Sequence, residues 1–308
     1  MQRLLTTVTI GGLLIATAAA FAITERLKLT KSAVYGTKVS KRLSPTCGCA
    51  HGRVHVVFKL RRRDDITVTV LDARKQEVAL LAAQTFPRGL VQLRWNGRTD
   101  AGARAPDGLY RVEIHLAGQH QTILLPNQIV LDTTSPGVVS IAPNRQEFSP
   151  DGDKQADTVH FSYTLTKPAR LLLFFDGARI VKSYHHRLQG GVDWNGKVDG
   201  RSLPAGSYTL YAGAVDEFGN STPVAQRARV HIEIRYIALA SARVLASAGS
   251  RFEIGVSTDA RRYHWKLGAR KGVAAGPLLQ LRAPSKKGRY TLLVEERGHL
   301  SRASVIVR

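Results

Sequence analysis

Two similar stretches of the 308-residue sequence decide its fold: residues 95–100 read WNGRTD, and residues 194–199 read WNGKVD. Each stretch is followed by a Pro-x-Gly-x-Tyr segment, PDGLY at residues 106–110 and PAGSY at residues 204–208. The copies are separated by about 99 residues, which is the length of one β-sandwich domain. Self-similarity at such a period is typical of tandem domains.

The repeated residues have readily stated physical roles. Asn-Gly after Trp favours a tight turn with positive φ, and Pro-x-Gly predicts a second turn that leads into a strand. We interpret each Trp as a core residue rather than a sugar-stacking platform, and each Tyr as a strand-start residue whose hydroxyl fixes a neighbouring loop. The structural motif residues are Trp95, Gly97, Gly108 and Tyr110 in the first copy and Trp194, Gly196, Gly206 and Tyr208 in the second.

The flanking segments have the two-residue periodicity of strands. Apolar residues alternate with mainly polar ones over residues 54–58, 66–70 and 252–256, as expected for strands that bury one face. Patterns with a helical period are almost absent beyond residue 53. The sequence therefore predicts an all-β protein of consecutive β-sandwiches.

The order of strand, W-N-G, polar turn, P-x-G-x-Y and strand resembles the FlgD-type immunoglobulin-like (Ig-like) domain, first known in the flagellar hook-capping protein. The resemblance covers residues 51–133 and 134–236, and residues 237–308 form a divergent, basic third sandwich. In that segment Trp265 lacks the following Asn-Gly, but Gly288-Arg289-Tyr290 echoes the Gly-x-Tyr ending. The resemblance implies a spacer or accessory module of an exported bacterial protein. It does not imply flagellar function, because the rest of a hook protein is missing.

The amino terminus predicts a membrane anchor. Residues Leu4 to Ile23 carry no charge, and twenty such residues form a helix of about 30 Å, enough to cross a bilayer. We interpret residues 1–23 as a signal-anchor and residues 24–50 as a stalk, with the domains on the extracytoplasmic side of the cell membrane. The alternative is a secreted protein, cut at the Ala-x-Ala pattern near Ala22. Six Lys and Arg between residues 26 and 42 oppose export by the positive-inside rule, but the exported class of the domains outweighs them.

Two cysteines lie in the predicted stalk, at Cys47 and Cys49. In an oxidising compartment they can bond to each other, bond to a second chain, or stay free, and the sequence leaves these alternatives and the oligomeric state open. Zinc is disfavoured, since two sulfurs supply half of a tetrahedral shell and no further pair of His or Cys lies nearby.

The charge predicts an anionic partner. Lys and Arg number 45 against 23 Asp and Glu, a net charge of +22, and residues 238–308 hold 14 Lys and Arg against 4 Asp and Glu. An anionic envelope polymer, a lipid surface or another envelope protein fits this charge, whereas nucleic acid is disfavoured without a basic helix or aromatic platform. The alternative is a merely solvated, edge-protecting surface. The candidate binding residues are Arg261, Arg262, Lys266, Arg270, Lys271, Lys286, Lys287 and Arg289.

An acidic segment opens the second predicted domain, with Asp151, Asp153 and Asp157 spaced as the first, third and seventh positions of a loop and Gln155 between them. Such oxygen donors can surround calcium, and apart from this candidate ion the sequence predicts no cofactor. The pattern is a partial EF-hand, because the twelfth position is Ser162 rather than Glu. The alternative is a cluster of Asx turns.

No catalytic signature is present. The sequence lacks a G-x-S-x-G elbow, an H-E-x-x-H motif, a P-loop and a dinucleotide fingerprint. The adjacent pair His185 and His186 would face opposite sides of a strand. We therefore predict a non-enzymatic cell-envelope protein whose Ig-like domains act as a spacer and interaction array outside the membrane. The alternative is a binding module for an anionic cell-wall polymer or lipid surface that uses the basic carboxyl-terminal domain.

Overall fold

The computed structural model of the chain describes residues 11–21 and 32–308. Residues 11–21 are helical, and none of the helices within these described ranges has both the length and the apolar character needed to span a bilayer. The predicted anchor, Leu4 to Ile23, and the cleavage position at Ala22 fall partly outside the described residues, as does the start of the predicted stalk.

The chain divides into two compact units, Met1–Thr133 and Thr134–Arg308. The first unit holds two facing sheets, one in the order β1-β3-β6 and the other in the order β2-β9-β7-β4-β5, with β8 paired to β7. A short 3-10 helix, Ala50–Gly52, precedes β3, and another, Ala117–Gln119, precedes β8. The strands are β1 Val34–Val39, β2 Arg42–Leu43, β3 Val54–Leu60, β4 Asp64–Leu71, β5 Glu77–Phe86, β6 Gly89–Trp95, β7 Gly108–Leu116, β8 Gln121–Leu124 and β9 Ile129–Leu131.

The first half of the second unit repeats the strand order of this plan, with one long strand in the place of two. Its strands are β10 Val138–Pro143, β11 Glu147–Phe148, β12 Val159–Phe175, β13 Ala178–Lys182, β14 Arg187–Trp194, β15 Lys197–Val198, β16 Arg201–Ser202, β17 Gly206–Val215 and β18 Ala228–Ile234, with a 3-10 helix at Val224–Gln226. The long strand β12 serves both sheets, because its first part pairs with β10 and β14 and its last part with β17 and β13. It stands in the place of the separate β3 and β4.

The second half of the unit has the strand order of the first domain. One sheet runs β19-β21-β24 and the other runs β20-β26-β25-β22-β23. The divergent third sandwich is therefore present, although its turn sequences differ from the repeat. The strands are β19 Ala238–Leu239, β20 Arg243–Ala246, β21 Arg251–Ser257, β22 Tyr263–Leu267, β23 Arg270–Ala274, β24 Leu278–Arg282, β25 Gly288–Glu296 and β26 His299–Val307.

Each of the three sandwiches has its own apolar core, built from the inward-facing positions of both sheets. In the first, alternate residues of β3 and β4, such as Val56 and Val68, are fully buried. The second core includes Tyr236 and the third begins at the next residue, Ile237. Burying one face of each strand is the main favourable contribution to folding, so each sandwich contains the apolar surface that it needs.

The predicted stalk over residues 24–50 is wrong for its second half. Val34 and Leu43, at the ends of the segment that forms β1 and β2, are buried in the first core. Strand β1 pairs with β3, and β2 pairs in parallel with β9. The segment escaped the sequence pattern because only the end residues of β1 are buried, so β1 shows no alternation.

The repeated motif residues form the same contacts in both domains. The indole Nε1 of Trp95 donates to the carbonyl oxygen of Arg98 at 2.8 Å, and that of Trp194 donates to Lys197 at 3.0 Å. Both indoles are buried, at 2% exposure, so the interpretation of these residues as core rather than sugar platforms agrees with the structure.

The three strand-start tyrosines each form the same kind of hydrogen bond, from the phenol hydroxyl to a main-chain carbonyl. The hydroxyl of Tyr110 donates to the carbonyl oxygen of Pro106, four residues earlier, at 2.6 Å. Tyr208 does the same to Pro204 at 2.8 Å, and Tyr290 to the main chain of Lys286 at 2.9 Å. The third domain therefore keeps this bond although it lacks Pro-x-Gly.

We expect alanine at the glycine of the WNG turn to be poorly tolerated. Gly97 and Gly102 both have positive φ, but a Cβ on Gly97 would lie 2.6 Å from Pro45 Cγ, whereas one on Gly102 would meet open space. Because the overpacking is added to the same backbone strain, G97A should lower the free energy of unfolding by about 1–3 kcal/mol more than G102A. Urea unfolding measures the difference. The second domain offers the matched pair G196A and G200A, and equal losses within each pair would contradict the packing argument.

Candidate functional site

The acidic loop of the second domain is a network of Asx turns. Asp151 Oδ1 accepts the backbone N–H of Asp153 at 3.1 Å, and Asp153 Oδ1 accepts that of Gln155 at 2.6 Å. The two oxygens of Asp157 accept the backbone N–H groups of Gly152 and Lys154, at 2.6 and 2.7 Å. Asp157 is therefore occupied in closing the loop.

A carboxylate from the third domain meets this loop. Glu296, the last residue of β25, has a carboxylate oxygen that lies with those of Asp151 and Asp153 in a group whose members are all within 4.8 Å of one another. The Glu296 side chain is 10% exposed, and the Nε atom of Arg297 is 3.5 Å from its Oε1. That separation is too long for a well-formed N–H···O hydrogen bond.

A fourth carboxyl group lies beside the cluster. Asp259 stands between β21 and β22 of the third domain, and its Oδ2 is buried without a hydrogen-bond partner among the described residues. The hydroxyl of buried Ser149 donates to Asp151 Oδ2 at 3.1 Å and also neighbours Asp259. Because a hydroxyl has one proton, Ser149 can satisfy only one of these two acids at a time.

The crowding of acids changes their titration. Burial, followed by hydrogen bonding and charge repulsion from Asp151 and repulsion from Asp153, raises the pKa of Glu296 to about 8. Burial is also the largest cause that raises the pKa of Asp259 to about 6, with repulsion from Asp151 and Asp153 added. Such shifts are typical of carboxylates that share one site.

The structure brings together half of the predicted metal ligands. Asp151 and Asp153 converge, while the amide nitrogen of Gln155 donates to Asp153 Oδ2 at 3.1 Å. Asp157 faces the backbone of its own loop. Sequence reasoning missed Glu296 and Asp259, because Glu296 ends an ordinary strand and Asp259 lies in a short connection between two strands. Both are more than one hundred positions from the loop, and neither belongs to a motif.

The eight predicted anion-binding residues are all exposed, but they lie at two ends of the third domain. Arg261 and Arg262 precede β22, whose start pairs with the Glu296 end of β25, and they line a groove with Asp153 and Glu296. The six others lie at or towards the opposite end of β25, on the β22–β23 hairpin, on the preceding loop and at the start of β25 itself. These six are Lys266, Arg270, Lys271, Lys286, Lys287 and Arg289.

Cys47 and Cys49 form a disulfide with each other, which is one of the arrangements that the sequence left open. They lie in a loop that matches the acidic loop of the second domain. Ser44 donates its backbone N–H to the carbonyl oxygen of His51 at 2.8 Å, and Ser149 donates to Ala156, also seven residues on, at 3.1 Å. The same loop is thus closed by a covalent bond in the first domain and lined by acids in the second.

We expect the third domain to lose stability as pH rises from about 5 to 8 in buffer free of divalent cations. The folded state keeps the Glu296 proton until about pH 8, because its pKa is raised there, while the unfolded chain releases the proton near the ordinary glutamate pKa of 4.5. The folded state therefore binds more protons in this window, and the free energy of unfolding falls with pH. Asp259, whose pKa is raised to about 6 by burial first, adds to the decline below that pH, so the measurement is a comparison of urea midpoints between the chain and E296Q.

In that comparison E296Q should flatten the decline, and E295Q, an exposed neighbour on the other face of β25, should preserve it. A decline of equal size in E296Q would show that Glu296 is not its source.

Comparison with known proteins supports the assignment of the first domain. The family of the FlgD Ig-like domain matches residues 50–119, and no curated protein matches the chain. Among solved structures, an I-band fragment of titin is 10% identical, with 90% of this chain and 99% of that chain covered and a TM-score of 0.33. A 1.5-MDa bacterial ice-binding adhesin is 9% identical, with 89% and 99% covered and a TM-score of 0.29.

SGBP-B of the Bacteroides ovatus mixed-linkage glucan utilization locus, solved with a mixed-linkage heptasaccharide, is 12% identical, with 91% of this chain and 71% of that chain covered and a TM-score of 0.25. At these scores the structures carry no argument about function. The family match and the motif geometry identify residues 50–119 as a FlgD Ig-like domain.

Proposed function

We propose that this chain is a non-enzymatic cell-envelope protein whose consecutive sandwiches act as a spacer and interaction array on the extracytoplasmic side of the membrane. The observation that carries the proposal is the use of the motif residues. In each FlgD-type repeat the Trp and Tyr side chains donate hydrogen bonds to main-chain carbonyls through the indole and phenol groups. The Gly residues form the turns, so all of these residues serve the fold. Domains built in this way are suited to act as spacers and to present a binding surface rather than to hold a reaction centre.

The contact between His160 and Asp193 does not require a catalytic role. His160 Nδ1 lies 2.8 Å from Asp193 Oδ1, but both side chains are about half or more exposed, on adjacent strands of one sheet. Catalytic acid–base pairs are usually held in a cleft that excludes water. A cross-strand surface pair is a sufficient explanation of this contact.

The location rests on two features of the amino-terminal region. The uncharged run from Leu4 to Ile23 is long enough for a signal-anchor, and retention there is favoured over cleavage near Ala22. The disulfide between Cys47 and Cys49 is of a kind that persists in oxidising compartments outside the cytoplasm.

Protease shaving of intact cells tests this location, with an epitope tag placed after Arg308. We expect the tag to be lost from unlysed cells while a cytoplasmic marker survives. Protection of the tag until lysis would place the domains in the cytoplasm and overturn the proposal.

A second function, retention on an anionic envelope polymer or lipid surface, is favoured by the six cations that lie at or towards one end of the third domain. If they bind, retention on isolated cell envelopes should fall steeply with ionic strength, because exposed charges are screened within about 8 Å at physiological salt. The triple variant K286Q/K287Q/R289Q should lose retention, whereas R261Q/R262Q, at the other end of the domain, should keep most of it. Equal retention of both variants would show that the charge is only a solvated surface.

A further inference from the structure

The acids at the junction of the second and third domains have an arrangement that side chains alone do not stabilise. Asp151 and Asp153 come from the loop that follows β11, whereas Glu296 ends β25 in the next domain. Three carboxylate oxygens within 4.8 Å of one another repel strongly when all are ionised. Among the described residues, no Lys or Arg forms an ion pair within 4.0 Å of Asp151 or Asp153, and Arg297 reaches Glu296 only at 3.5 Å.

A buried acid oxygen without a partner is the independent observation that indicates a ligand. Glu296 is nine-tenths buried, and its carboxyl group lies at hydrogen-bonding distance from that of Asp151, so the two groups need either a shared proton or a cation between them. Beside them, the buried Oδ2 of Asp259 has no partner within the described part of the chain. Glu296 and Asp259 belong to the third domain, and the loop acids belong to the second.

The chemistry of the donors defines the ion. All of them are carboxylate oxygens, which hard cations prefer, and the cluster contains none of the His or Cys ligands that zinc or copper select. Calcium accepts six to eight oxygens in flexible geometry, including bidentate carboxylates, whereas magnesium demands a near-ideal octahedron and keeps several waters. Ligands on two separate domains suit the more tolerant ion.

We infer that one calcium ion binds between Asp151, Asp153 and Glu296 and ties the second sandwich to the third. The site differs from an EF-hand-like loop, because Asp157 serves the backbone and the third carboxylate comes from another domain. A bridging ion also limits rotation about the Tyr236–Ile237 connection. There Tyr236 already stacks on His299, with ring centroids 3.6 Å apart. Calcium would thus convert two linked domains into one stiff segment.

The test uses the full chain labelled with 5-fluorotryptophan. Its three tryptophans, Trp95, Trp194 and Trp265, fall one to each domain, so three fluorine resonances report on the domains separately without a core substitution. Isothermal titration with calcium chloride into chain stripped by a chelator should give one site per chain. Saturating calcium should raise the urea midpoints of the Trp194 and Trp265 resonances and leave that of Trp95 unchanged.

Two variants probe the ligands, and a third variant is the matched control. E296Q and D153N should each weaken calcium binding by at least roughly tenfold, because affinity follows the number of charged ligands. E295Q, next in sequence and exposed, should bind as the unchanged chain does. The fluorine spectrum before calcium addition verifies that each variant is folded. If E296Q does not fold, D153N alone is used for the test.

Several outcomes would overturn the inference. Absence of a binding heat would remove the site. Unchanged affinity in E296Q would confine binding to the loop and exclude the bridge between domains. If calcium raised the urea midpoint of the Trp194 resonance alone, the coupling between the second and third domains would be contradicted. None of these results bears on the spacer proposal, which protease shaving tests separately.

Discussion

The close approach of a glycine to a proline organises each of the first two sandwiches. In the first domain Gly97 lies under Pro45, and in the second Gly196 lies under Pro150, with no room for a Cβ in either case. The neighbouring indole Nε1 then closes the turn by its bond to a main-chain carbonyl. The turn and the Ser-Pro segment come from different parts of the chain, so this contact fixes the short strand before each proline against the end of its sandwich.

The loop that follows the proline inherits its position from this contact. In both domains the loop begins with a Ser whose N–H bonds to a carbonyl seven residues later, but the first loop is closed by a disulfide and the second by Asp157. Because Pro150 is held against Gly196, Asp151 and Asp153 are placed at the end of the second sandwich. There the last residue of β25, Glu296, meets them. A packing constraint within one domain thereby positions the acids for a neighbour.

The candidate cations of the third domain fall into two groups, one beside the acid cluster and one away from it. Arg261 and Arg262 share a groove with Asp153 and Glu296, so they belong to the junction of the second and third domains. The six remaining candidate cations extend from the opposite end, where no acid cluster was found among the described residues. Net charge alone would have treated all eight as one surface.

The sequence by itself determined the all-β class, the tandem repeat and the roles of Trp95, Gly97 and Tyr110, because strand alternation and turn chemistry are local and repeat at a fixed spacing. It also placed two of the acids, since Asp151 and Asp153 form a recognisable local spacing. It misassigned residues 33–50, whose burial comes from pairing β1 with β3 and β2 with β9 rather than from any alternation of their own. Only the tertiary structure decided that Glu296 completes the acidic cluster, because a contact between residues far apart in the chain depends on how two sandwiches are joined.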